Sequence, residues 1–331
     1  MSQSLKSLCP PKPPLTEENL PDQTGKVGTP PKRNNRYPSN ENQVFLITGA
    51  SGGIGKELAS ILYQHNAKVY IAARSENKAT TAIASIQKQH PDSKGTLVFL
   101  YLNLADLTTI SKSSEQFLRQ ESRLDVLWLN AGVMMPPTGS KTTQGYELQL
   151  GTNNIGHFLF TKCLHPILKR TATSAPKNSV RVIWVSSSMI DFAPKGVINF
   201  ENMDYKREES SSAKYGRSKA GNVLHAVEFA RRTEGEGIVS VSLNPGNLAT
   251  DLQRSAPGWQ NYIWTKFIAY PAKFGAYTEL FAGLHPDITV EKSEVFIAPW
   301  GRLVNARKDL FEPALGRQYW EWTEEQVQSY N

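Results

Sequence analysis

The feature that most constrains this chain is a glycine-rich turn between an apolar strand and a helix with one apolar face. Residues 44–47 are all apolar, and residues 48–55 read Thr-Gly-Ala-Ser-Gly-Gly-Ile-Gly. Apolar side chains then recur at helical spacing from Ile54 to Leu62. Glycine permits a tight turn and a close approach of backbone to phosphate, and a helix N-terminus offers free N–H groups. This setting predicts a site for the pyrophosphate of a dinucleotide.

Composition narrows the class of protein. The 331 residues, 39% of them hydrophobic, suffice for one large α/β domain or two small ones. The net charge of +7 is mild and the basic residues are scattered, so we expect no nucleic-acid partner. No apolar stretch is long enough to predict a transmembrane helix or a signal peptide. Having only Cys9 and Cys163 argues against a disulfide framework and favours a cytoplasmic, reducing location.

Strand and helix patterns alternate along most of the chain. The apolar runs predict strands at residues 44–47, 68–73, 97–102, 126–129, 180–185, 238–243 and 295–298, and long helices at 148–168 and 212–232. Such near-continuous apolar runs are typical of parallel strands that helices cover on both faces. We therefore expect a single α/β domain over residues 43–331, with a doubly wound parallel sheet of about seven strands, the Rossmann fold. Its ligand cleft should lie at the carboxyl ends of the strands.

The N-terminal region differs in composition from this domain. Residues 1–42 hold eight of the 20 prolines and almost no apolar cluster, which predicts an irregular arm. Residues 28–44 look inserted, because joining Val27 directly to Phe45 restores an uninterrupted strand. The segment is either a surface loop or the translation of a retained intron.

Three short motifs fall where the predicted strands and helices would bring them to one cleft. Tyr215 and Lys219 are four residues apart, so they share one face of a helix. An ammonium beside a phenol favours the phenolate, and we expect Lys219 to lower the pKa of Tyr215 toward neutrality. The serines at 186–188 end the fifth predicted strand, and Asn-Ala-Gly at 130–132 ends the fourth. Both would face the cleft.

Together these motifs resemble the short-chain dehydrogenase/reductase superfamily. The resemblance extends over about residues 43–305 and includes residues 151–159 and 244–250. In detail the chain is similar to the branch around retinol dehydrogenases and WW-domain oxidoreductases, and above all to fungal members, many of which act in secondary metabolism. The resemblance implies hydride transfer between a nicotinamide and a carbonyl or carbinol carbon.

The resemblance also implies four catalytic residues, Asn153, Ser187, Tyr215 and Lys219. Tyr215 would exchange the proton of the substrate oxygen, and Ser187 would hold and polarise that oxygen. Lys219 would bind the nicotinamide ribose, and Asn153 would hold a water that links Lys219 to solvent. His157 lies nearby in sequence, and we interpret it as a packed helix residue.

The same resemblance assigns the cofactor contacts. They are Gly49, Ser51, Gly52, Gly53, Ile54, Gly55, Arg74, Asn103, Leu104, Asn130, Ala131, Gly132, Tyr215, Lys219, Pro245, Gly246 and Thr250. The glycines fit two spacings, one through Gly53 that reductases use and one through Gly52 that epimerase-type relatives use. Asn103 stands where the family usually has an aspartate that contacts adenine.

The end of the second predicted strand indicates which cofactor is bound. An acidic residue there would accept bonds from a ribose 2′-hydroxyl and repel a 2′-phosphate. The chain reads Ala-Ala-Arg-Ser at residues 72–75, and Arg74 could pair with a phosphate. We predict NADP(H) as the cofactor and no metal.

One segment rich in aromatic residues bears on the substrate and on partners. The segment at about residues 250–275 would form a substrate lid, and its aromatic and aliphatic side chains would line an apolar pocket, pack in a helix core or contact a membrane or partner. These side chains are Trp259, Tyr262, Ile263, Trp264, Phe267, Ile268 and Tyr270. The lid interpretation predicts a lipophilic ketone, aldehyde or alcohol as substrate. Relatives are often dimers or tetramers, so a homo-oligomer is one option.

Two other functions stay open at this stage. One is a non-catalytic sensor or scaffold that binds NADP(H), and the other is an epimerase-type enzyme that retains its cofactor. The complete set of Ser187, Tyr215 and Lys219 favours an oxidoreductase, since a sensor does not need it.

Deleting residues 28–44 tests whether this segment belongs to the folded core. We expect NADPH affinity and the thermal midpoint to stay nearly unchanged, because Val27 replaces Val44 in the strand and the rest buries little apolar area. Calorimetry and cofactor titration of the deletion variant measure both. A midpoint lower by many degrees would show that the segment packs onto the domain, and transcript sequencing tests the intron reading.

Overall fold

Eight strands form one central sheet in the computed structural model, which describes residues 10–23, 43–194, 196–250, 269–292 and 294–330. They are β1 (Val44–Thr48), β2 (Lys68–Ala73), β3 (Thr96–Tyr101), β4 (Val126–Leu129), β5 (Val180–Val185), β6 (Ile238–Leu243), β9 (Phe296–Ala298) and β10 (Arg302–Val304). Two short strands, β7 (Leu248–Ala249) and β8 (Tyr270–Pro271), pair separately. The predicted doubly wound sheet is confirmed.

The strand order is β10-β9-β6-β5-β4-β1-β2-β3, and every neighbouring pair is parallel except β9 with β10. The chain therefore winds outward from β1 in one direction and from β4 in the other. Ligands of such sheets bind where the winding direction changes, at the carboxyl ends of the two central strands. The antiparallel edge strand β10 was not predicted, because it is partly exposed and its sequence, Arg-Leu-Val, gives no apolar run.

Helices cover both faces of this sheet. They are α1 (Gly53–Gln64), α2 (Glu76–Gln89), α3 (Leu107–Gln120), α4, α5 (Ser211–Arg232), α6 (Ala272–Leu284) and α7 (Pro313–Val327). Helix α4 is continuous through three segments, Leu148–Leu150, the π-helical Gly151–Ile155 and Gly156–Ala172. Side-chain caps fix several starts; for example, Ser75 accepts from the Lys78 N–H at the start of α2.

Strand β1 shows why its sequence reads as an unbroken apolar run. Phe45 and Ile47 pack in the core cluster with α1, α2 and α6, whereas Val44 and Leu46 pack on the opposite face with α3 and α4. Because successive side chains point to opposite faces, a strand covered on both sides is apolar at nearly every position, and the exception in β1 is the buried Thr48 at its end.

Part of the N-terminal arm lies against the domain. Residues 10–23 contain no helix or strand, yet Leu15 is fully buried and Leu20 is 5% exposed, and both join the core cluster beside α1 and α6. Glu17 pairs with Lys273 of α6 at 2.5 Å, and its carbonyl lies 2.8 Å from Nε2 of His65, next to the end of α1. Residues 24–42, and with them most of the segment that looks inserted, lie outside the described residues.

Replacing Leu15 with alanine tests whether residues 10–23 are part of the folded core. We expect the free energy of unfolding to fall by about 2–5 kcal/mol, because the change removes a fully buried side chain and leaves a cavity. Chemical denaturation measures this quantity. Leu118→Ala is the matched control, since Leu118 on α3 is 37% exposed. Equal, small effects of both changes would show that this segment contributes nothing to the core.

Candidate active site and cofactor cleft

An open cleft of about 470 Å³ lies at the carboxyl ends of the central strands. Twelve of the predicted cofactor contacts line it: Gly49, Ser51, Gly52, Gly53, Ile54, Arg74, Asn103, Leu104, Asn130, Ala131, Gly132 and Thr250. The structure thus brings together residues that are far apart in the sequence, as the parallel topology requires.

The glycine turn shows which glycines the backbone needs. Gly49 and Gly53 have φ of +74° and +54°, in the left-handed region that favours glycine. A Cβ at Gly49 would lie 2.8 Å from the Cα of Ala131, and a Cβ at Gly55 would lie 2.6 Å from Nδ2 of Asn130. Gly52 has an extended backbone, and a Cβ there would meet nothing within 4 Å. The constrained spacing is therefore the one through Gly53.

Hydrogen bonds fix the glycine turn against the end of β4. The Thr48 hydroxyl accepts from the Ala131 N–H at 2.9 Å, and Nδ2 of Asn130 donates to the Thr48 carbonyl at 2.8 Å. The Asn-Ala-Gly turn after β4 is thus tied to the last residue before the glycines. These two hydrogen bonds fix the distance between the glycine turn and the turn after β4 at the base of the cleft.

Helix α5 carries the tyrosine and lysine on one face, as their spacing predicts. Both side chains are buried, with 4% exposed, and Nζ of Lys219 lies 5.8 Å from the centre of the Tyr215 ring. Nζ of Lys219 donates to the Val185 carbonyl at 3.0 Å, and Ser187 hydrogen-bonds with the Tyr215 side chain. The hydroxyl of Ser186 instead donates to the Lys219 carbonyl at 2.7 Å, which anchors the helix to β5.

The protonation of this pair differs from the sequence-based expectation. Burial raises the pKa of Tyr215 to about 12, and the hydrogen bond from Ser187 offsets this only in part. Burial also lowers the pKa of Lys219 to about 8, while the Glu279 carboxyl acts in the opposite direction. The expectation that the pKa of Tyr215 is lowered toward neutrality is therefore wrong for this structure, because burial disfavours the charged phenolate.

Asn153 lies in the π-helical segment of α4 and is fully buried. Its Oδ1 accepts from the Val133 N–H at 2.9 Å, and its Nδ2 donates to the Val133 carbonyl and to the Ser218 hydroxyl, each at 3.0 Å. A Cβ on Gly132 would lie 3.2 Å from Oδ1 of Asn153 and 3.5 Å from Nζ of Lys219. The catalytic residues predicted from the sequence therefore meet beside the wall of the cleft.

Pro245 and Gly246 are not among the residues that line this cleft, and most of the predicted lid lies outside the described residues. Pro245 and Gly246 follow β6, where Gly246 has φ of +105° and a Cβ would lie 2.7 Å from the Trp300 ring. Tyr270 is half-buried and also contacts Trp300, with ring centres 5.1 Å apart. Residues 251–268, which include the other aromatic side chains of the predicted lid, are outside the described part of the chain.

Sequence reasoning missed several residues of the cleft. Lys78 lines it in the first turn of α2, one helical turn after Arg74, and both side chains are exposed. The spacing of two basic residues at the start of a helix was the available signal. Met134, Pro136 and Pro137 also line the cleft, but nothing in their sequence distinguishes them from an ordinary loop.

The described residues also bear on metal binding and on membrane spanning. They contain no cluster of side chains suited to hold a metal ion. None of the helices in these ranges combines the length and the apolar character that a membrane span requires.

Comparisons with known proteins agree with this geometry. Residues 43–261 match the family model described as short chain dehydrogenase. A short-chain dehydrogenase/reductase of Emericella nidulans, pkfC, is 51% identical over 322 residues and covers 96% of this chain and 97% of its own. One from Phomopsis amygdali is 49% identical over 336 residues, with 98% and 96% covered.

Solved structures share the fold. A putative uncharacterized protein from Mycobacterium paratuberculosis aligns with a TM-score of 0.69 at 24% identity, covering 95% of this chain and 97% of its own. The RhlG/NADP complex of Pseudomonas aeruginosa aligns at 0.59 and 21% identity, with 78% and 95% covered. A 3-ketoacyl-(acyl-carrier-protein) reductase of Brucella melitensis with NADH aligns at 0.57 and 21%, with 76% and 95% covered. The chain belongs to the short-chain dehydrogenase/reductase family, oxidoreductases that act on carbinol and carbonyl groups with a nicotinamide cofactor.

Proposed function

We propose that this protein interconverts a lipophilic ketone or aldehyde and its alcohol with NADP(H), in fungal-type secondary metabolism. One observation carries the proposal. The buried side chains of Asn153, Tyr215 and Lys219, with the half-buried Ser187 against Tyr215, lie beside a cleft that begins at the glycine turn.

The cleft fits a nicotinamide dinucleotide phosphate. Helix α1 starts at Gly53 without a side-chain cap and with no acidic residue in its first turn, so its N–H groups can receive a pyrophosphate. Arg74 and Lys78 offer two cations for a 2′-phosphate, and residues 72–75 contain no carboxylate. The cofactor supplies or accepts a hydride at nicotinamide C4.

The residues beside the cleft account for the proton that the substrate oxygen gains during reduction. With a pKa of about 12, Tyr215 carries its proton at neutral pH and can donate it to a carbonyl oxygen during reduction. Ser187 touches the same hydroxyl and would hold the substrate oxygen beside it. Lys219, with a pKa of about 8, can exchange protons near neutral pH and so restore the proton of Tyr215. The side chain of Asn153 is engaged by Val133 and Ser218, so its backbone carbonyl is the group that would hold a water.

The wall of the cleft supports an apolar substrate. Val133, Met134, Pro136 and Pro137 follow the Asn-Ala-Gly turn and line it. Such a wall favours a substrate with hydrocarbon next to the reacting carbonyl. The fungal relatives support a place in secondary metabolism. A cytoplasmic location and a homo-oligomer remain part of the proposal, the former on the basis of the free Cys163.

The same residues argue against the two other functions, a cofactor sensor or scaffold and an epimerase-type enzyme. A cofactor sensor has no need of the contact between Ser187 and the buried Tyr215. An epimerase-type glycine spacing would use Gly52, where the backbone is extended and has no requirement for glycine.

Tyr215→Phe tests the proton donor. We expect NADPH to bind with little change while turnover falls by about 10²-fold or more, because the ring keeps its shape but loses the hydroxyl. The measurement is NADPH absorbance with a panel of lipophilic ketones and aldehydes, alongside fluorescence titration of NADPH. Substantial turnover by this variant would refute the role of Tyr215.

Arg74→Ala tests the choice of cofactor. We expect NADPH to bind about ten- to a hundredfold more weakly with little change for NADH, because a charge-assisted bond to the 2′-phosphate contributes about 1.5–3 kcal/mol. Titration of both cofactors measures the ratio. Arg119→Ala, at an exposed arginine of α3, is the control. Equal losses for NADPH and NADH would contradict the assignment.

A further inference from the structure

His157 connects the glycine turn with the π-helical segment that holds Asn153. The imidazole is fully buried on α4. Its Nε2 lies 3.0 Å from the Thr48 hydroxyl, and its Nδ1 lies 3.2 Å from the Asn153 carbonyl oxygen. One side chain therefore touches the residue before Gly49 and the backbone of a proposed catalytic residue.

The partners of His157 determine where its proton lies. The Asn153 carbonyl can only accept, so Nδ1 must carry the hydrogen. The Thr48 oxygen accepts from the Ala131 N–H, and its own hydrogen can point to Nε2 at 3.0 Å or to the Trp128 carbonyl at 3.3 Å. A neutral imidazole with its proton on Nδ1 satisfies both ring nitrogens. Burial and the charge of Lys219 lower the pKa of His157 to about 3, which also excludes the imidazolium at neutral pH.

The hydrogen bond from Nδ1 of His157 to the Asn153 carbonyl matters because it lies in the irregular part of α4. In an α-helix a carbonyl accepts from the N–H four residues later, whereas here the Gly156 N–H reaches the Gly151 carbonyl five residues back. His157 is the fourth residue after Asn153, and it returns a hydrogen bond to that carbonyl through its side chain. The carbonyl is thereby held in one direction within an irregular turn.

We propose that His157 is a positioning residue that fixes the Asn153 carbonyl and ties it to the glycine turn through Thr48. This inference rests on the proposed function, in which the Asn153 carbonyl holds the water that supplies protons to Lys219 and Tyr215. Without the Nδ1 hydrogen bond, the carbonyl loses its fixed direction and proton supply slows. Cofactor contacts do not involve the imidazole, so NADPH affinity changes little.

Two matched variants separate the two bonds of the imidazole. His157→Asn places an amide near the position of Nδ1, where it can donate to the Asn153 carbonyl but cannot reach Thr48. His157→Gln places its amide near the position of Nε2, where it reaches Thr48 and not the carbonyl. His157→Leu removes both bonds. His225→Leu is the control, because His225 is equally buried on α5 and contacts Thr323 rather than the proposed site.

The readouts are kcat, the solvent deuterium isotope effect on kcat, the NADPH dissociation constant and the thermal midpoint. We expect His157→Leu and His157→Gln to lower kcat about tenfold, the equivalent of one lost hydrogen bond, and to raise the isotope effect. His157→Asn should keep most of the wild-type kcat. His225→Leu should lower the midpoint and leave the isotope effect unchanged.

Nitrogen NMR of the wild-type protein tests the same inference without turnover. With ¹⁵N-labelled histidine at pH 7, we expect His157 to be neutral with its hydrogen on Nδ1. A hydrogen on Nε2 would overturn the proposal, as would equal loss of kcat in all three His157 variants together with an unchanged isotope effect. Failure of the wild-type enzyme to reduce any carbonyl of the panel would instead refute the proposed function, while the NMR result still decides the tautomer.

Discussion

The contact between Thr48 and the turn after β4 sets the geometry on which the rest of the site depends. Strands β1 and β4 are neighbours in the sheet, and the chain leaves them in opposite directions. The Thr48 carbonyl and hydroxyl hold Asn130 and Ala131, and the same hydroxyl reaches His157. The proposed pyrophosphate site at the start of α1 and the proposed catalytic segment of α4 are thus linked through one residue, Thr48. Moving this contact would alter both sides of the cleft together.

Burial is the dominant force on protonation within this site. It raises the pKa of Tyr215 to about 12 and lowers that of Lys219 to about 8, so the tyrosine is protonated and the lysine titrates near neutral pH. The fully buried Glu279 on α6 shows the same effect, with a pKa raised to about 8 and neither carboxyl oxygen hydrogen-bonded among the described residues. Desolvation is the largest effect at each of these three groups, and for Lys219 and Glu279 it outweighs their mutual attraction. The site therefore suits proton donation to a carbonyl.

The features of the fold and of the site that could be predicted from the sequence are those with a signal in neighbouring residues. The strands at 68–73, 126–129, 180–185 and 238–243 were predicted with the observed bounds, because nearly complete burial leaves a mostly apolar run that only a few polar residues interrupt. The topology then explains why Asn153, Ser187 and Tyr215 lie together. The direction of the Tyr215 pKa was predicted wrongly, since residue spacing reveals the lysine but not the loss of water.

Other features needed three-dimensional packing. The core position of Leu15 arises from contacts with distant helices, and no periodic pattern surrounds it in an otherwise proline-rich arm. The requirement for glycine at residue 53 rather than 52 is a matter of backbone dihedral angles, which both spacings of the motif fit equally well on paper. The link from His157 to Thr48 joins residues 109 positions apart. This link exists only in the folded protein, where α4 lies against β1.

The proposed function requires that a hydride passes between NADP(H) and a carbonyl carbon in this cleft while Tyr215 supplies the proton. The most direct measurement uses NADPH deuterated at both C4 positions of the nicotinamide with a lipophilic carbonyl compound, and mass spectrometry and NMR of the product. We expect one deuterium on the new carbinol carbon for each NADPH oxidised. Oxidation of NADPH without deuterium at that carbon, or no oxidation with any carbonyl tested, would contradict the proposed function.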